Sequence, residues 1–226
     1  MSLNQPEMVV LDLDGTLVDT VPDLAYSLDG MLQKMGMPDA GETKTREWVG
    51  NGIERLVKRA LTNDFNEEPE ASLFDKAFPI FISEYKQNAC NHSRLYDGAK
   101  EGLDYLISNK FKLACVTNKH SQFTHTILEA LDIQNAFGIV ISGDTLPRKK
   151  PDPSPLLHAA EYFGVNASQA LMVGDSINDV SAARAAGFQV LCVSYGYNLG
   201  QDIRLANPDL VVDSLAAFPD VFQVTA

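Results

Sequence analysis

The sequence predicts a doubly wound α/β fold with a small helical domain inserted near its start. Three observations carry this. Short, nearly continuous apolar runs rich in β-branched residues recur along the chain. Helical patterns of about ten to thirteen residues alternate with them. One interval, residues 20–91, offers helical patterns only. Strands apolar throughout, rather than alternating, are those covered on both faces, and strand–helix–strand alternation of this kind builds parallel sheets.

The first strand is expected over Met8–Leu13. Helical stretches then follow at Leu24–Met35, Ile53–Leu61 and Glu70–Asn88, an interval far longer than a simple crossover needs. The economical reading is a helical domain over residues 20–92, tethered by crossings near Asp19–Pro22 and His92–Tyr96, with residues 1–19 and 93–226 forming the sheet domain. Beyond it the alternation is regular. Helices at Ala99–Ser108, His120–Leu131 and Pro155–Phe163 lie among strands at Lys112–Thr117, Gly138–Ser142 and Ala170–Gly174. Ser176 can cap a further helix rich in alanine that Gly187 stops. Strands at Gln189–Val193 and Asp209–Val212 complete the set.

Composition removes several functional classes. The chain has 226 residues, 45% hydrophobic and 21% charged, which fits neither disorder nor a fibrous repeat. Eighteen Lys and Arg against 30 Asp and Glu give a net charge of −12, which repels nucleic acid and anionic membranes. A small anion is still admissible where local cations override the global sign. Three cysteines without a C-x-x-C pair point to a reducing compartment. The opening MSLNQPEMVV has no basic, apolar leader, and no run approaches the ~20 residues of a membrane span. A cytoplasmic protein is expected. Its four histidines show no metal-ligand spacing.

The chemistry concentrates at the expected strand ends. Asp12 and Asp14 are two apart in D-L-D-G-T, so in an extended segment both side chains point the same way. Asp175 follows the strand Ala170–Gly174, and Asp179 falls in the first turn of the next helix. Open α/β sheets bind ligands at the carboxyl ends of their strands. Carboxylates gathered there call for a cation, and all-oxygen ligands suit Mg²⁺. Thr117 and Asn118 offer donors to a phosphoryl oxygen, and Lys150, held by the following proline, can place its ammonium over an anion. Asp12, Asp14, Asp175 and Asp179 carry up to four negative charges. A phosphate monoester adds about −1.5 to −2, so such a site needs both Mg²⁺ and a cation such as Lys150. With both, it has a carboxylate nucleophile, electrostatic clamps and a proton donor.

DLDGT, VTN, KKPDP and GDSxxD, in that order, resemble the four motifs of the haloacid dehalogenase-like phosphohydrolase superfamily, and the likeness covers the whole chain. WVGNG, Trp48–Gly52, and YGYN, Tyr195–Asn198, resemble the phosphoglycolate phosphatases within it. The resemblance implies a Rossmannoid sheet of order 5-4-1-2-3 with residues 20–92 as a helical cap. It makes Asp12 the nucleophile, phosphorylated in turn, and Asp14 the general acid and then base. Thr117, Asn118 and Lys150 bind the phosphoryl group. Asp12, Asp14 (through its carbonyl) and Asp175 ligate Mg²⁺, with Asp179 in support. Trp48, Gly50, Asn51 and Gly52 become candidate substrate contacts from the cap.

The implied activity is a phosphatase acting on a small phosphorylated metabolite, 2-phosphoglycolate first, with a sugar or amino-sugar 6-phosphate as the alternative. Sugar-phosphate mutases of the superfamily carry a histidine where this chain has Leu24. A phosphoacceptor signalling domain would lack the helical insertion. A substrate carboxylate calls for a cation from the cap, for which Arg46, Arg55 and Arg59 are candidates. Oligomeric state is not legible.

Overall fold

The computed structural model describes residues 3–222; residues 1–2 and 223–226 of the expected sheet domain lie outside them. The chain enters through β1 (Met8–Leu11), turns, and leaves the sheet through the short β2 (Val18–Asp19). Four helices follow: α1 (Val21–Lys34), α2 (Gly41–Trp48), α3 (Ile53–Thr62) and α4 (Ala71–Asn88). Return is through β3 (Arg94–Leu95). Then come α5 (Ala99–Ser108), β4 (Lys112–Val116), α6 (Ser121–Ala130), β5 (Ile139–Ile141) and α7 (Ser154–Phe163). The last elements are β6 (Ala170–Gly174), α8 (Ile177–Ala186), β7 (Gln189–Val193), β8 (Leu210–Val212) and α9 (Phe218–Val221).

Six strands form one parallel sheet in the order β5-β4-β1-β6-β7-β8. This is the expected order with β8 added outside β7. Met8 stands opposite Lys112 and Ala170, and Leu11 opposite Cys115 and Val173, so β1, β4 and β6 end along one edge. Side-chain alternation divides each strand between two cores. Val9, Leu11, Leu113, Cys115, Leu171 and Val173 meet α5, α6 and α9 on one face. Met8, Val10, Ala114, Val116, Ala170 and Met172 meet α7 and α8 on the other. Every residue of β1 and β6 is buried, which explains why their sequences are apolar without alternation.

The helices between β2 and β3 share a third cluster, including Leu28, Met31, Trp48, Leu56, Val57, Phe81 and Tyr85. Burying each such large side chain contributes roughly 2 kcal/mol. Phe123 of α6 and Tyr197, after β7, join this cluster from the sheet side. The two crossings pair as an antiparallel ribbon, Val18 with Leu95 and Asp19 with Arg94. Asp23, fully buried in the first turn of α1, ties them further by accepting from the backbone N–H groups of His92 and Ser93 and from Ser93 Oγ at 2.6 Å.

Sequence reading misses the ribbon strands, α2 and the four-residue α9. The ribbon strands have two residues each, too few to show a period. Helix α2 reads GETKTREW and buries only Thr45 and Trp48, so no apolar stripe announces it. Among the described residues no helix is long and apolar enough to cross a membrane.

Candidate active site

Asp12 begins where β1 ends. Its N–H still bonds the Val173 carbonyl at 3.0 Å, which fixes its backbone to the sheet edge. Its Oδ1 accepts from Leu13 N–H at 2.7 Å and faces Lys150 Nζ at 2.9 Å. Oδ2 accepts no hydrogen bond among the described residues, so its lone pairs face the pocket unshared. Lys150 is held on two further sides, 2.7 Å from Asp179 Oδ1 and donating to the Val116 carbonyl at 2.6 Å. Asp179 Oδ2 closes a capping box at the start of α8, accepting from Ser176 Oγ at 2.7 Å and Ser176 N–H at 3.1 Å. Capping and holding Lys150 are thus one arrangement, with a different oxygen for each.

Asp14 reaches the same pocket by another route than the strand alternation predicts. β1 stops at Leu11, and a turn follows in which the Leu13 carbonyl accepts from the N–H groups of Leu17 and Val18. The turn, not an extended segment, aims Asp14. Gly15 makes it possible: φ is 84°, and a Cβ there would collide with Asp175 Oδ2. Thr20 Oγ1 donates to Asp14 Oδ1 at 2.6 Å, and Lys119 Nζ lies 2.9 Å from Oδ1 and 3.2 Å from Oδ2. Asp175 is braced by Thr16 Oγ1 at 3.0 Å and Tyr197 N–H at 2.7 Å.

The sequence reading stops at Asn118 and so misses Lys119, which is 4% exposed. The only available signal was a lysine two residues beyond Thr117 at a strand tip, which does not separate a buried ammonium from a solvated one. Tyr197 is also missed as a site residue. Its hydroxyl donates to Asp19 Oδ1 at 2.9 Å and accepts from Thr20 N–H at 2.9 Å, linking the strand-tip carboxylates to the first crossing.

Asp12, Asp14, Thr117, Asn118, Lys119, Lys150, Asp175 and Tyr197 line one pocket, roofed from the helical side by Leu24, Val49, Gly50, Gly52 and Leu56. The Gly50 carbonyl accepts from Asn118 Nδ2 at 3.3 Å and Asn178 Nδ2 at 3.1 Å, and the Asn51 carbonyl from Lys149 Nζ at 3.2 Å. The loop therefore meets the sheet edge through its backbone.

Several expected contacts do not line this pocket. Trp48 is buried in the helical cluster beside a separate depression with Leu32, Met37 and Leu61, because its apolar ring packs with that cluster. The Asn51 side chain turns away to accept from Arg59 Nη2 at 3.0 Å. The three candidate arginines are engaged elsewhere. Arg46 pairs with Asp19 and Glu42, Arg55 with Glu68, and Arg59 donates to the Trp48 and Phe65 carbonyls.

Burial pushes the Asp12 carboxyl up to about 7; Lys150 opposes that shift, and Asp179 adds to it. Burial with Asp179 and Asp12 nearby raises Asp175 well above the usual carboxylate range. Burial disfavours charge on Lys150 and Lys119, yet Asp12 and Asp179 in the first case and Asp14 in the second hold both ammoniums above their ordinary values. Four carboxyl groups thus face two ammoniums, so full ionisation would leave two negative charges, which one divalent cation would match. Oxygens of Asp12, Asp175 and Asp179 lie within 4.8 Å of one another. Asp175 and Asp179 each have contacts at both oxygens, while Asp12 keeps Oδ2 without a hydrogen bond among the described residues, so its lone pairs are those most readily offered to a hard cation.

Fold and site together define a Rossmannoid α/β protein with an acidic, lysine-braced pocket at the strand tips and a helical roof. The haloacid dehalogenase-like hydrolase family matches residues 9–193. The chain belongs to that family. It is 54% identical to a phosphoglycolate phosphatase of Nitrosococcus oceani, over 99% of this chain and all of that one. With the phosphoglycolate phosphatase of Nitrosospira multiformis it shares 47% identity, covering 92% of this chain and 91% of the other. The crystal structure of a predicted phosphoglycolate phosphatase from Haemophilus somnus superposes with a TM-score of 0.91 at 36% identity, covering 97% of this chain and 99% of that one.

Proposed function

We propose that this protein is a Mg²⁺-dependent phosphatase that hydrolyses 2-phosphoglycolate to glycolate and phosphate through a phosphorylated Asp12, with residues 20–92 acting as a cap over residues 1–19 and 93–226. The carrying observation is the Asp12 carboxylate: one oxygen is pinned by Leu13 N–H and Lys150, while the other faces the pocket unshared. The substrate assignment draws its support from the relatives' names and their full-length identity.

In this mechanism Asp12 Oδ2 attacks phosphorus as the ester P–O bond breaks. Lys150, the Thr117 hydroxyl and the backbone N–H of Asn118 hold the phosphoryl oxygens. Asp14, oriented by Thr20 and Lys119, gives its proton to the departing glycolate oxygen. It then takes a proton from water, which attacks phosphorus and frees Asp12. Asp12, Asp175 and the Asp14 carbonyl would hold Mg²⁺, whose charge offsets that of the carboxylates and the phosphoryl group. The Val49–Gly52 loop excludes bulk water. Leu24 in the roof has no proton to exchange, which counts against a phosphosugar mutase.

The test is phosphate release, with Mg²⁺ and with EDTA, over 2-phosphoglycolate, hexose and amino-sugar 6-phosphates, β-glucose 1-phosphate and p-nitrophenyl phosphate. Metal-dependent turnover favouring phosphoglycolate by at least about tenfold is expected. A sugar phosphate in front would discard that substrate and keep the chemistry.

A further inference from the structure

Two buried ammonium groups face the pocket, and they are committed differently. Lys150 Nζ is enclosed by Asp12, Asp179 and the Val116 carbonyl at 2.9, 2.7 and 2.6 Å, three oxygens from three different segments. Lys119 Nζ donates to the two oxygens of Asp14, with the Tyr85 hydroxyl as its other polar neighbour. At least one of its three N–H donors makes no hydrogen bond among the described residues. It lies 5.2 Å from the Tyr85 ring centroid, and the Tyr85 hydroxyl, fully buried, likewise has no hydrogen-bond partner among the described residues. Arg46, Arg55 and Arg59, the cations of the helical segment considered for a substrate carboxylate, are engaged away from the pocket.

We infer that Lys119 is the specificity-determining residue, its ammonium receiving a substrate carboxylate that sits one carbon from the ester oxygen. This rests on the phosphatase reading above. Asp14 faces the ester oxygen there, and Lys119 touches Asp14, so the ammonium stands within a side chain's reach of the leaving group. In 2-phosphoglycolate a single methylene separates that oxygen from the carboxylate. An anion at this distance meets the free donor of Lys119, whereas a hydroxyl in its place brings no charge to the contact. Removed from water, with its side chain 2% exposed, Lys119 discriminates more strongly than a surface lysine can.

The experiment compares kcat/KM for 2-phosphoglycolate and for 2-hydroxyethyl phosphate, which replaces the carboxylate by a neutral hydroxymethyl group, both with Mg²⁺. The variants are Lys119→Met, Lys119→Gln and Lys119→Arg. Any loss from disturbing Asp14 falls on both substrates and cancels in the ratio. The ratio is expected to fall by about 30-fold in Lys119→Met, mostly through KM for phosphoglycolate, and to survive in Lys119→Arg. Lys119→Gln can still bond Asp14, so it carries the Met prediction should Lys119→Met not fold. A wild-type preference retained in the folded Met or Gln variant overturns the inference and leaves the phosphatase reading standing. A wild type that hydrolyses both esters without preference overturns the substrate assignment, and the inference with it.

Discussion

The sheet edge and the helical roof meet in one pocket but contribute differently. The edge supplies side chains: Asp12, Asp14, Thr117, Lys119, Lys150 and Asp175 all face the cavity. The roof supplies apolar side chains and backbone, Leu24, Val49 and Leu56 with the Gly50 and Gly52 positions. Of its arginines, Arg55 and Arg59 hold the roof itself together, and Arg46 ties it to the sheet side. Arg59 shapes the Trp48–Asn51 turn, Arg55 bonds Glu68 and Phe65, and Arg46 pairs with Asp19 beneath the Tyr197 ring. Chemistry and enclosure are thus divided between two parts of the chain, and substitutions in each should fail differently.

The largest effect belongs to the edge. Asp12→Asn should lower kcat by at least about 10⁴-fold. It should also leave the melting temperature of the metal-free protein unchanged or raised, because it removes a carboxyl that burial makes costly to ionise. Calorimetry beside the activity assay checks both. Near wild-type turnover would break the division of labour outright.

Metal removal comes next, with activity in EDTA down by at least about 100-fold and restored by Mg²⁺. A pH signature accompanies it. Asp12 and Asp175 have folded values raised above their ordinary ones, so the folded state binds more protons than the unfolded. Stability in EDTA is therefore greatest below about pH 4 as far as these two groups decide it, and falls as pH rises toward about 7, the value for Asp12. Mg²⁺ should flatten that decline. Thermal melts across pH 5–8, with and without Mg²⁺, read it directly.

Gly52→Ala tests the roof. Gly52 has φ of 90°, and a Cβ would stand 2.9 Å from Lys149 Nζ, the group that donates to the Asn51 carbonyl. Strain of about 1–2 kcal/mol is expected there, and a fall in kcat/KM of roughly tenfold. The KM should carry most of it, since no reacting group moves. The smallest effect is expected for Arg46→Ala. Its partly exposed pairs with Asp19 and Glu42 are worth about 1 kcal/mol or less, and kcat/KM should stay within about threefold of wild type. Selective loss of phosphoglycolate turnover in that variant would return the carboxylate contact to the roof.

The same division governs what is legible in the sequence. D-L-D-G-T and G-D-S-x-x-D are visible because the edge requires particular side chains: Gly15 where Asp175 approaches, Asp179 where Ser176 and Lys150 need an acceptor. The strands and most helices show through their apolar patterns, and even the alanine-rich α8 announces its ends through Ser176 and Gly187. The roof acts through the Gly50 carbonyl, and a carbonyl leaves no trace in residue type. Trp48 and the arginines look like ligands by type, yet burial and internal pairing absorb them. Lys119 is the converse, an ordinary lysine until packing closes over it. Asp14 shows a subtler gap: its spacing from Asp12 is suggestive, but a turn rather than strand alternation brings the two together.

The most direct test of Asp12 as the phosphoryl carrier is the stereochemistry at phosphorus. A phosphoglycolate made chiral with oxygen isotopes and sulfur, hydrolysed in labelled water with Mg²⁺, yields a chiral thiophosphate whose configuration can be read. Transfer to Asp12 and then to water inverts the centre twice, so overall retention is expected. Overall inversion would mean that water attacks the substrate directly, and would contradict a phosphorylated Asp12.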